Sequence, residues 1–297
     1  MTERILKPSR FTLGTVQLGV NYGMANATGK PSQETAFAIL DEARANGVLS
    51  LDTAAAYGTS EEVVGSWLKE RRLPTYVVSK FKLKTDDPLT ELETQIRNSE
   101  ARLGTVSGYM FHDADQMRKY AELVRPRLER MQEEDRMCFI GSSVYTAEDV
   151  ESFLEIGWLK AIQIPMSILD TRIVQRGLLA ELQKRGVTVF VRSVFLQGMV
   201  CMPEPPEKYA FMAPSVKALR EIADAEGMSL MQMAVSYIRD LPGVDSLVLG
   251  CERPEQVKAN AALIGGPSIS ASGLAQIEAL APSIPIEHCM QVILGKA

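Results

Sequence analysis

Short apolar, β-rich segments alternate with amphipathic helical patterns from one end of the chain to the other, and this alternation most narrows the possible folds. Phe11–Gln17 reads as a first strand. Ala36, Ile39, Leu40 and Ala43 then recur at the spacing of one helix face, and Gly47 suits the left-handed end of that helix. Val48–Asp52 reads as a second strand, and Glu61–Lys69 as a helix with Ser60 as its N-cap. Tyr76–Ser79, Gly108–Phe111, Cys138–Gly141, Ala161–Ile164, Val187–Val191 and Ser246–Leu249 read as further strands. Helices are expected at Leu89–Leu103, up to about Glu133, Ala147–Ile156, Leu178–Lys184, around Val216–Ala223 and Met231–Ile238, near Pro254–Leu263 and at Ala271–Leu280. About eight βα units is the repeat that closes a TIM-type (β/α)8 barrel. A doubly wound sheet is the alternative.

No linker, low-complexity tract or shift in composition divides the 297 residues, so one α/β barrel domain over 1–297 is expected. The one long Pro-rich connection, Cys201–Pro214, follows the seventh strand and reads as a lid or binding loop. A net charge of -5 argues against nucleic acid as a partner. The four cysteines are far apart in sequence, which argues against a disulfide framework or a zinc site. The start of the chain lacks the apolar core of a signal peptide, and no apolar run approaches the ~20 residues of a membrane span. A soluble, cytoplasmic protein without metal is expected.

Familiar nucleotide motifs are missing. Gly23 to Lys30 ends in Gly-Lys, but the glycine spacing and the following Pro31 do not fit a phosphate loop. No GxGxxG follows the first strand, and there is no GxSxG or HExxH.

Four polar residues fall at or just beyond the C-terminal ends of consecutive strands: Asp52, then Tyr57 in the following loop, Lys80 and His112. In a barrel these ends share one mouth, where catalytic residues gather. Singly, each has an ordinary explanation: a helix cap, a packing tyrosine, a solvated lysine, a hydrogen-bonded histidine. Together they form a proton-transfer set. Tyrosine can protonate a carbonyl oxygen, a lysine cation eases loss of its proton, an aspartate keeps that lysine charged, and a histidine orients the carbonyl.

The chain resembles the aldo-keto reductase superfamily, through LGTVQLG, LDTAAAYGTSEEVVG, VVSKF and MFHDAD, then FIGSSVY, AIQIP, VRSVFLQGMV and LGCERPEQVKAN, in that family's order. The resemblance implies a barrel that binds NAD(P)H without a Rossmann fold, with Tyr57 as general acid and Asp52, Lys80 and His112 completing its tetrad. It further implies cofactor contacts from Thr15 and Val16, from Asp52, and from Ser143 and Gln163 at the carboxamide. Ser193, Phe195, Leu196 and Gly198 would pass the pyrophosphate. Gly250, Cys251, Arg253, Gln256 and Asn260 would surround the adenosine end.

There are departures. Val144 stands where asparagine is common, and Arg192 where an aromatic often stacks on the nicotinamide; an arginine plane can stack there too, so Arg192 is expected among the cofactor contacts, with a charge that alters the site. Gly250 and Gln256 stand where lysine and arginine are frequent near the 2′-phosphate, and Arg253 is a replacement grip. NADPH is expected, with NADH as the other candidate.

The substrate expected is a small carbonyl compound, sugar-like or aliphatic. The first loop would wall its pocket with Asn21, Tyr22, Met24 and Asn26, and the seventh with Met199, Met202, Tyr209 and Phe211; the other reading is that these residues only pack their own loops. Trp67 and Trp158 read as packing residues. Two other classes of function stay open: a Schiff-base aldolase using Lys80, and a non-catalytic, cofactor-binding regulatory subunit. A monomer or weak homo-oligomer is expected.

Overall fold

The computed structural model describes residues 7–22, 29–293 and 295. Eight strands pair in parallel in sequence order and close on themselves, as the alternation predicts. They are β1 (Phe11–Gly14), β2 (Ser50–Asp52), β3 (Tyr76–Phe81), β4 (Gly108–Phe111), β5 (Phe139–Ser143), β6 (Ala161–Pro165), β7 (Thr188–Arg192) and β8 (Ser246–Gly250). Closure comes from the β1–β8 pairing, in which Gly14 lies opposite Gly250.

The period-two alternation of each strand divides the apolar residues into two cores. Tyr76, Val78, Met110, Phe139, Ala161 and Phe190 form an inner cluster that fills the barrel. The intervening residues, among them Leu13, Leu51, Val77, Tyr109, Ile140, Ile162, Val189 and Leu247, pack outward against the helices. Trp67, 2% exposed, belongs to this outer layer, as its sequence position suggests. The same parity decides which residues at the strand ends face the lumen. Asp52, Lys80, Ser143, Gln163, Arg192 and Gly250 continue the inward series of their strands.

The helices carry the terminal signals their sequences advertise. Ser32, Asp87, Asp113, Thr146, Ser229 and Ser270 each accept a backbone N–H in the first turn of the helix they precede. Thr146 and Asp149 form a reciprocal capping box.

Three local readings are corrected. β1 ends at Gly14 rather than Gln17, because the chain turns into a short helical stretch over Val16–Gly19. Ser60 is not an N-cap but the first helical residue of Ser60–Arg71, and its hydroxyl bonds Thr15 and Thr53. The Cys201–Pro214 connection is not wholly irregular, since 3-10 turns span Leu196–Cys201 and Glu207–Met212. Among the described residues no helix is long and apolar enough to cross a membrane.

Candidate active site

β2 and β3 are neighbours, so Asp52 and Lys80, each inward-facing near the top of its strand, meet across the lumen. Lys80 Nζ donates to both carboxylate oxygens of Asp52, at 2.7 and 2.8 Å, and to the carbonyl oxygen of Thr53 at 3.1 Å. The ammonium group also reaches the Tyr57 hydroxyl at 3.4 Å. Lys80 is 2% exposed and Asp52 4%. Burial opposes the ammonium form of Lys80, but the Asp52 charge and the hydrogen bonds outweigh it and hold its pKa above the ordinary lysine value.

Tyr57 is placed by backbone contacts. Its N–H donates to Ala54 O at 3.0 Å, and its carbonyl accepts from Ser60 N–H at 3.0 Å. The helical turn after β1 presses on this loop at Gly19, where a Cβ would lie 1.8 Å from the Tyr57 carbonyl oxygen. Only glycine allows that approach. Burial raises the Tyr57 pKa above its usual value, and the Lys80 charge opposes the rise.

His112 follows β4, its N–H bonded to Phe81 O at 3.0 Å. Its ring lies edge-on to Tyr57, with centroids 5.7 Å apart. Burial, reinforced by the Lys80 and Lys82 charges, lowers its pKa to about 4, so the imidazole is neutral at physiological pH. Its Nδ1 is buried and has no partner among the described residues. Asp52, Tyr57, Lys80 and His112 are thus brought together at one mouth.

The other candidates divide by what their side chains already do. The Thr15 hydroxyl donates to Asp52 O at 2.9 Å and pairs with Ser60 Oγ at 2.8 Å, so it fastens β1 to the tyrosine loop. Val16 is half-buried beside it, and Ser143 lies buried at the end of β5. Gln163 donates to Asp52 Oδ1 at 2.8 Å, which links β6 to the charged pair. Ser193, Leu196 and Gln197 adopt left-handed φ of 60°, 44° and 55° within five residues, with Phe195 half-buried between them and Gly198 at 95° just after. Such non-glycine conformations collect at ligand-gripping loops.

Gly250, the last residue of β8, is exposed; beyond it Cys251 is buried and Arg253 exposed. Asn260 donates to Cys251 Sγ at 3.3 Å. The Gln256 side-chain oxygen, Oε1, accepts from Glu252 N–H at 2.6 Å and so closes the turn. In the seventh loop Met199 and Tyr209 are 0% and 1% exposed, so they pack the loop rather than line a pocket, while Met202 and Phe211 are half-buried. Asn21 and Tyr22 are exposed at the rim. Met24 and Asn26 lie outside the described residues.

Two residues at the mouth escaped the sequence reading. Gln17 is 9% exposed, and its Oε1 is buried with no partner among the described residues. Its amide occupies the space over Gly250, within 2.3 Å of where a Cβ would lie. The glycine at 250, across the barrel seam from Gly14, is the signal that another side chain fills that space. Tyr145, 40% exposed after β5, stacks on Arg192.

The model of the aldo/keto reductase family matches residues 10–282. The chain belongs to the aldo/keto reductase family. This aldo/keto reductase is 25% identical to aldo-keto reductase YhdN of Bacillus subtilis over 293 residues, spanning 88% of this chain and 86% of that protein. It is 25% identical to the L-glyceraldehyde 3-phosphate reductase of Escherichia coli over 171 residues, about half of each chain (48% and 49%). Its fold matches that of aldo-keto reductase AKR11C1 from Bacillus halodurans in holo form, with a TM-score of 0.77, 22% identity and 95% and 96% of the two chains covered. The glycerol dehydrogenase AKR11B4 of Gluconobacter oxydans matches with a TM-score of 0.73, 20% identity and 94% and 93% coverage.

Proposed function

We propose that this oxidoreductase interconverts an aldehyde or ketone and its alcohol with NAD(P)H, with Tyr57 moving the proton. The observation that carries this reading is the position of Lys80, whose single buried ammonium group touches both Asp52 and the Tyr57 hydroxyl. NAD(P)H, when bound, supplies the hydride that reduces the carbonyl carbon.

The chain's residues account for the other half of the reaction. A carbonyl oxygen entering the mouth accepts the Tyr57 O–H. Neutral His112 lies beside that hydroxyl, where it can orient the carbonyl without competing as an acid. As charge develops on the carbonyl oxygen, the proton passes from Tyr57 Oη. The phenolate left behind is stabilised by Lys80, and Asp52 keeps Lys80 charged. In the reverse direction the phenolate takes the alcohol proton.

The residues present suit the cofactor. The Ser193–Gly198 segment, with Ser193, Leu196, Gln197 and Gly198 at positive φ, fits a phosphate-passing loop. The orphan Gln17 oxygen beside Gly250 suits a hydroxyl or amide donor at the mouth. Arg253, exposed and without an ion pair among the described residues, favours NADPH over NADH, since a guanidinium grips a phosphate bidentately.

The other readings fare less well. A Schiff-base role needs an uncharged amine at Lys80, and Asp52 favours the ammonium. A purely regulatory role leaves the assembled tetrad without a purpose. One curated relative is named for the reduction of L-glyceraldehyde 3-phosphate, a short hydroxyaldehyde phosphate, and a sugar-like carbonyl is the substrate class we propose. The test is cofactor consumption with a panel of short hydroxyaldehydes and hydroxyketones. Turnover that disappears in Tyr57→Phe supports the reading. Saturable NADPH binding with no turnover on any carbonyl would return the regulatory role to the front.

A further inference from the structure

Arg192 closes β7 and continues the inward series that Phe190 holds one step below. Strand register sets Ser143 beside Gln163, and Arg192 beside Pro165 at the end of β6. From there the guanidinium spans the end of β6 to the segment that follows β5. Nη2 donates to the Val144 carbonyl oxygen at 3.0 Å, and the guanidinium carbon lies 4.3 Å from the centre of the Tyr145 ring. Nη1 adds a long contact to Ser193 Oγ at 3.4 Å. Ser143 and Gln163 are the residues that the family resemblance assigns to the carboxamide, so a nicotinamide held by them has this guanidinium as its neighbour.

No opposite charge offsets the guanidinium, which keeps its proton at any ordinary pH. Its partners are a carbonyl, a hydroxyl and an aromatic ring, and among the described residues no carboxylate comes within ion-pair distance of it. Asp52 is paired with Lys80 at 2.7 Å, Asp113 with Lys82 at 3.1 Å and Asp170 with Arg172 at 2.8 Å. His112 is neutral. The positive charge of Arg192 also extends to the reacting centre. Burial dominates the pKa of Tyr57, and Arg192 joins Lys80 in opposing it.

Carbonyl reduction changes the charge of the cofactor ring. The carbonyl carbon gains a hydride, its oxygen gains the Tyr57 proton, and the neutral dihydronicotinamide becomes a pyridinium cation. The reacting carbons must lie about 3–3.5 Å apart. The ring is thereby confined to the neighbourhood of the Tyr57 hydroxyl, within the field of Arg192. At an effective dielectric of about 20, two like charges within about 10 Å repel enough to change an affinity tenfold.

We propose that Arg192 makes the site discriminate between the two redox states of its cofactor: the fixed guanidinium disfavours NADP+ relative to NADPH, so the oxidised form is released and the reduced form retained. This rests on the reductase reading above and keeps the site loaded for carbonyl reduction. The phosphates are common to both forms, so comparing the two isolates the charge on the ring.

The experiment is calorimetric titration of wild-type protein, Arg192→Gln and Arg192→Lys with NADPH and NADP+, and in parallel with NADH and NAD+. The wild type should bind the reduced form more tightly. The ratio of the two Kd values, oxidised over reduced, should fall about tenfold in Arg192→Gln and be largely kept in Arg192→Lys. A residue that merely braced the Val144 loop, or gripped a phosphate, would weaken both forms alike and leave the ratio unchanged.

An unchanged ratio in Arg192→Gln would overturn the proposal and leave the reductase reading standing. Equal affinities for the two forms in the wild type would do the same without any variant. Absence of binding by all four nucleotides would instead sink the reductase reading, and this inference with it.

Discussion

Lys80 Nζ sits 2.7 Å from Asp52 Oδ1 in the barrel lumen, with both residues almost completely removed from water. The pair holds together only as a pair. Removing one partner strands a buried charge, which typically costs about 3–5 kcal/mol. Asp52→Ala should lower stability by about that amount, and Lys80→Met should cost less, since Gln163 still donates to the remaining carboxylate. Urea unfolding of both variants checks the order. Equal stability in the Asp52 variant would mean that Lys80 is not held charged.

Tyr57 should control the rate. Tyr57→Phe keeps the ring and its contact with His112 but removes the proton, so kcat should fall about a hundredfold to ten-thousandfold. Cofactor affinity, read by calorimetry, should change far less than kcat.

The pH profile of reduction follows from the same groups. Burial raises the Tyr57 pKa above its ordinary 10, so the hydroxyl stays protonated across neutral pH. His112 remains neutral above about 4. The rate of carbonyl reduction should therefore be level through the neutral range and decline only on the alkaline side, as Tyr57 loses its proton. A midpoint near neutrality would point to another acid.

Acid sensitivity should also report on His112. In the unfolded chain the imidazole takes up a proton near 6.5, but in the folded site only near about 4. Between these values the unfolded state binds more protons, so stability falls as pH is lowered through the window. His112→Asn should lose this component. The gap in melting temperature between pH 7 and pH 5 should narrow relative to wild type, and an unchanged gap would contradict a buried neutral His112.

The contact at Gly19 is open to a direct test. A methyl group there would meet the Tyr57 carbonyl oxygen at 1.8 Å, closer than any real contact. Gly19→Ala should destabilise by about 1–3 kcal/mol, typical of overpacking, and lower kcat by displacing the tyrosine loop. Full activity in that variant would show that the loop adapts.

Much of this was legible in the sequence because local pattern and global fold agree. The segments Gly108–Phe111, Ala147–Ile156 and Leu178–Lys184 have the bounds that periodicity assigns. The convergence of Asp52, Tyr57, Lys80 and His112 was legible because three of them sit at or next to the ends of consecutive strands, and a closed barrel must bring such positions together. What stayed hidden depends on contacts between distant segments. β1 stops at Gly14 because Thr15 is engaged by Asp52 and Ser60, 37 and 45 residues away. Tyr145 and Gln17 matter through Arg192 and Gly250, which no local pattern links to them. Met199 and Tyr209 have the composition of pocket residues, yet they turn inward under their own loop.

The central claim is that this barrel binds a nicotinamide dinucleotide at the mouth where Asp52, Tyr57, Lys80 and His112 meet. The most direct measurement is a calorimetric titration of the purified protein with NADPH and, separately, with NADH. The account predicts saturable binding of one nucleotide to each chain, with NADPH the tighter. Absence of binding by both would contradict it.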